Sequence, residues 1–125
     1  MFVRTIAVCA LVLAAAPLGA QAHHSYAMFD RSKTVTLNGT IRQFQWTNPH
    51  SWIQLTVPSE AGTGTDEWSI EMGSPFELLR VGWTSTSVKA GDKVSIQIHP
   101  VKDGSKGGGF VSGTDAAGHE LGRGK

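Results

Sequence analysis

Apolar side chains recur at every second position in four separate runs of this chain, and that period restricts the fold more than any other feature. In the first run Val35, Leu37 and Ile41 fall on one face, with Gly39 in the same phase, and Phe44 and Trp46 continue on the opposite parity. A period-2 phase that flips midway signals a bulge, and Gly39 eases a bend there. In the second run, Ser51–Val57, Ile53, Leu55 and Val57 alternate with Trp52, Gln54 and Thr56. The third, Glu67–Met72, sets Trp68, Ile70 and Met72 against Ser69 and Glu71. The fourth, Lys93–Pro100, sets Val94, Ile96 and Ile98 against Lys93, Ser95, Gln97 and His99, and Phe110–Thr114 starts a fifth strand.

The punctuation between these runs sets their order. Thr47-Asn48-Pro49-His50 is turn chemistry, Pro58–Asp66 is a Gly/Thr/Ser loop, and Ala90-Gly91-Asp92 is a further turn. Ser74-Pro75-Phe76-Glu77 announces a short helix: Ser74 caps, Pro75 suits the first helical position, Glu77 completes a capping box and Gly82 is the stop. Val101–Gly109, with Gly107-Gly108-Gly109 in succession, is expected to be a flexible loop. Three strands, a short helix and two strands, with a long bent first strand, is the order of an OB fold. The expectation is therefore a mainly β protein: a small five-stranded OB-like barrel with one short helix between strands three and four. A plain β-sandwich with an incidental helix is the rival.

Residues 1–22 read as an export signal. Arg4 supplies the positive end, Ile6–Ala16 the apolar core, and Ala20-Gln21-Ala22 a small-x-small cleavage site. The apolar stretch is shorter than the roughly 20 residues that span a bilayer. The expected organisation is a signal over 1–22, a polar leader over 23–32 and the barrel over 33–122, working in the periplasm and not embedded in a membrane. Cleavage removes Cys9, so neither a disulfide nor a thiolate ligand is expected. It also removes Arg4, leaving ten basic and ten acidic side chains, a balance that argues against nucleic acid as a partner.

Cleavage after Ala22 would open the mature chain at His23, placing an α-amine and an imidazole in one residue, with a second imidazole on His24. These are borderline nitrogen donors that suit Cu(II). His50 and His99 each sit beside a proline at a strand end, and in an OB fold the loops there flank one binding face. His23, His24, His50 and His99 are thus the candidate metal ligands, with Glu71 and Met28 in reserve. The competing description is a loose polar N-terminus and two hydrated surface histidines. Trp46 and Trp52, with Asn48 and Glu71, form a second candidate set, since exposed indoles beside a cleft stack on sugars or aromatic rings. His119 lies in the tail. No HExxH, no Ser-His-Asp order and no phosphate loop occurs, and no catalytic residue is assigned.

The His-His-Ser of 23–25, Ala-Met-Phe-Asp of 27–30, the Gly39–His50 segment ending in Asn-Pro-His, Trp68–Glu71, Gly91–Val94 and His99-Pro100 form one pattern. In it the chain resembles an uncharacterised family of small exported Gram-negative bacterial proteins, a domain of unknown function. The resemblance covers nearly all of the mature chain and implies a periplasmic home. It brings no activity and so assigns no residue a role. Two functions stay open: a copper-binding protein that stores, delivers or senses the metal without catalysis, and a module that binds a small molecule or glycan. A copper oxidase built on an N-terminal histidine is a more distant third.

Overall fold

The computed structural model describes residues 27–122. Residues 1–22, expected to be an export signal, and His23 and His24 lie outside the described residues. The elements are β1 (Val35–Gln45), β2 (Trp52–Pro58), β3 (Thr65–Glu71), α1 (Pro75–Arg80), β4 (Lys93–Pro100) and β5 (Gly107–Asp115). The strands close into a barrel in the order β1-β2-β3-β5-β4, with β4 returning to β1. All neighbours are antiparallel except β3 and β5, which run parallel over Ser69–Glu71 and Gly107–Gly109. The fold is the OB-like barrel that the strand order predicts, with its one short helix between strands three and four.

β1 belongs to both halves of the barrel. Its first half, Val35–Thr40, pairs with β4, and its second, Thr40–Gln45, pairs with β2. The register shifts between Ile41 and Gln43, which is the bulge signalled by the change of apolar phase. Gly39 stands where the strand crosses from one partner to the other. A Cβ there would run into the Thr56 carbonyl oxygen, so the strands approach this closely only because residue 39 has no side chain. Ile41, Ile53, Leu55, Ile70, Ile96 and Ile98 fill the barrel and are at most 1% exposed. These are the inward positions of the alternating runs.

α1 closes one end. Ser74 Oγ accepts from Glu77 N at 3.2 Å and Ser74 N donates to Glu77 Oε2 at 3.0 Å, completing the capping box. The helix places Leu78 in the core, and Trp83 follows it inward. Trp83 meets Phe110 edge-on at 5.4 Å and lies 5.9 Å from Phe44. Trp46 joins the same aromatic group, its ring edge-on to Phe44 at 5.8 Å.

One sequence expectation is corrected. Gly107, Gly108 and Gly109 are not part of a flexible loop; they open β5, and Gly107 and Gly108 are buried. A Cβ on Gly108 would lie 2.5 Å from the His99 carbonyl oxygen and 2.7 Å from Ile98 Cδ1. The three glycines let β5 slide into the narrow slot between β3 and β4. They serve close packing rather than freedom of motion.

Candidate functional site

The register across four strands builds the site. His99 is opposite Gly109, Gly109 opposite Glu71, Glu71 opposite Trp52, and Trp52 opposite Gln45. Cross-strand partners share a face, so this row lies together on the outer side of the barrel. Gly109 contributes no side chain, which leaves a gap between His99 and Glu71. Those two strands are two ladder spacings apart, about 9–10 Å. Beside this row lies a cleft of about 380 Å³, lined by Phe29, Arg31, His50, Glu71, Met72, Gly73, His99 and Gly109–Val111.

His50 reaches the cleft from the β1–β2 turn. The Asn48–Pro49 peptide is cis, and Thr47 Oγ1 donates to the His50 carbonyl at 2.9 Å. Ser51 then locks the turn against the end of β3: Ser51 N donates to Gly73 O and Met72 N to Ser51 O, both at 2.9 Å. His50 Nδ1 lies 3.0 Å from the Met72 carbonyl oxygen and 3.4 Å from Glu71 Oε1. His99, at the end of β4, has its Nδ1 2.8 Å from the Lys33 carbonyl oxygen. A carbonyl can only accept, so in both rings Nδ1 carries the proton. A neutral ring in that tautomer keeps its lone pair on Nε2.

The leader docks beside this pair. Phe29 forms a β-bridge with Val101, Asp30 N donates to Pro100 O at 2.8 Å, and Lys102 N donates to Met28 O at 2.8 Å. The Phe29 ring lies over Gly109, where an added Cβ would be 3.1 Å from Phe29 Cδ2. The aromatic ring therefore occupies the space a residue-109 side chain would need. Arg31 follows Phe29 and Asp30 to the cleft wall. Phe29 and Arg31 escape a reading of the sequence alone, because backbone bonds between the leader and residues 100–102 place them. The one sequence trace is the short apolar run Ala27-Met28-Phe29 inside a mostly polar leader.

Of the candidate residues, His50, His99 and Glu71 meet in the cleft. Trp46, Trp52 and Asn48 do not line it: Trp46 is half-buried against the core, Trp52 is half-buried on the outer face beside Glu71, and Asn48 is exposed in the turn. Met28 is 50% exposed. His119 is remote from the cleft, 3.3 Å from Asp115. Among the described residues, no group of three His, Cys, Asp or Glu is gathered closely enough to hold a metal ion. Nor does any helix among them have the length and apolarity to cross a membrane.

Fold and site together define a class: a closed five-stranded OB-like barrel whose outer face carries a cleft between two backbone-anchored histidines. The chain belongs to the family of unknown function DUF6152, whose model matches residues 10–110. No curated protein and no solved structure matches it.

Proposed function

We propose that this is a periplasmic copper-binding protein that stores, delivers or senses the metal without catalysing a reaction. The observation that supports this most is the pair of cleft histidines with Nδ1 tied to backbone carbonyls. Metal-binding imidazoles are held in this way, the second nitrogen fixing tautomer and ring orientation while Nε2 ligates. Two imidazoles and the Glu71 carboxylate make an incomplete site, and the proposal completes it with His23 and His24. His23 stands four residues before Ala27. An extended chain covers about 3.5 Å per residue, and the adjoining Met28–Asp30 is bonded beside the cleft. Both N-terminal histidines therefore have the reach. Met28 is a reserve thioether, suited to Cu(I).

The test is a Cu(II) titration of protein expressed with its own signal, with His23 confirmed as the N-terminus by mass spectrometry. The folded site binds more tightly than a free His-His peptide, and His50→Ala or His99→Ala lowers affinity at least about tenfold. Affinity equal to that of the peptide, unchanged in both variants, contradicts the proposal.

The second function, a small-molecule or glycan module, draws support from the cleft's volume and from Trp52 standing next to Glu71 in the same row. About 380 Å³ is within the usual range of small-ligand pockets. In that case Trp52→Ala weakens ligand binding and leaves copper affinity untouched.

A further inference from the structure

Without any metal, the part of the cleft around Glu71 has a polarity of its own. The Glu71 side chain is only 11% exposed although it lines the cleft, and His50 Nδ1 stands 3.4 Å from its Oε1. A carboxylate has two oxygens and about four acceptor sites, so it can take further donors beside that imidazole. His50 offers the cleft none. Its Nδ1 proton goes to the Met72 carbonyl oxygen at 3.0 Å, and Nε2 is left as an acceptor. Both polar side chains here therefore accept, and one of them carries a negative charge. The wall that continues from Glu71 and its cross-strand partner Gly109 is apolar: Met72, Phe110 and Val111, with the Phe29 ring over Gly109. Arg31 also lines the cleft, but it is exposed, where solvent screens its charge far more than that of a shielded group.

We propose that the metal-free cleft binds a primary ammonium carried on a small apolar body, the chemistry of an arylalkylamine. The ammonium donates to the Glu71 carboxylate, and a hydrogen bond between two ionised groups is of the strong kind. Phe29, Phe110 and Val111 cover the apolar body and keep water from that bond, which strengthens it. A neutral ligand forgoes the charge, and an anionic one meets acceptors and a like charge. The inference rests on the second function above, a small-molecule site in this cleft, and adds the charge and chemical class of the ligand.

Phenethylamine serves as the probe, 2-phenylethanol as its neutral counterpart and 3-phenylpropionate as its anionic one. Each is titrated at neutral pH into the metal-free protein, following the Met72 and Val111 methyl resonances by NMR. Wild type binds phenethylamine at least about tenfold more tightly than either of the others, the size expected of a hydrogen bond to a charged group. That comparison needs no variant. Glu71→Gln keeps the size of the side chain and loses its charge; it lowers amine affinity at least about tenfold and leaves the alcohol unchanged. Arg31→Ala binds the amine as tightly as wild type or more tightly. Equal or tighter binding of the alcohol or the anion in wild type, or amine affinity unchanged in Glu71→Gln, overturns the inference and leaves the small-molecule site standing. If none of the three probes moves the cleft methyls, the inference falls together with the small-molecule reading of this cleft.

Discussion

At the scale of single residues, the cleft is made by what some positions lack. Gly109 lacks a side chain, so Phe29 can lie over β5 between His99 and Glu71. Ser51 has the opposite problem. Its backbone ties the His50 turn to β3, while its Oγ is fully buried with no hydrogen-bond partner among the described residues. A buried hydroxyl without a partner costs about 1–3 kcal/mol of desolvation. Ser51→Ala is therefore expected to leave stability unchanged or raise it by up to about 1 kcal/mol in urea unfolding, with copper affinity intact. Asp30 anchors the leader chemically. The Ser32 hydroxyl, foremost, holds its carboxyl below the ordinary 3.8, outweighing the opposing effect of burial, with the Ser32 amide and Lys33 assisting. A carboxylate with a depressed folded value stabilises the fold fully above its unfolded value and loses that contribution as pH falls through the lower one. NMR titration should place the Asp30 midpoint below 3.8. Asp30→Asn should remove that part of the acid dependence of stability.

At the scale of elements, the alternating runs were legible because each strand has one wet and one buried face, and the phase flip in β1 exposed its bulge. The capping box of α1 could be read residue by residue for a similar reason: it is local. The glycine triplet could not. Nothing in Gly107-Gly108-Gly109 distinguishes glycine selected for mobility from glycine selected for thinness; the difference lies in Ile98 and the His99 carbonyl, on another strand. The two explanations predict different mutants. Gly108→Ala places a methyl against backbone and should cost about 1–3 kcal/mol, the usual range of overpacking. For Gly109→Ala the nearest neighbours are atoms of the Phe29 ring. It should cost less stability and instead loosen the leader, detectable as faster protease cleavage near residues 27–30. Mobile-loop glycines would tolerate both changes equally.

At the scale of the whole molecule, closure of the barrel and assembly of the cleft are the same event. Three parallel residue pairs join β3 to β5, and the last of them, Glu71 with Gly109, is also the floor of the cleft. The convergence of His50 and His99 was legible once the strand order indicated an OB fold, because that fold brings the β1–β2 turn and the end of β4 to one side. The docking of Phe29 and Arg31 was not, since main-chain bonds leave no pattern in side chains. In the proposed function both cleft imidazoles hold copper through Nε2. Pulsed electron paramagnetic resonance of the Cu(II)-loaded mature protein tests this most directly, because it detects the remote nitrogen of each coordinated imidazole. His50→Ala and His99→Ala are each expected to remove one coupled imidazole from the wild-type spectrum. Spectra identical to wild type in both variants would contradict it, leaving copper on the N-terminal histidines alone.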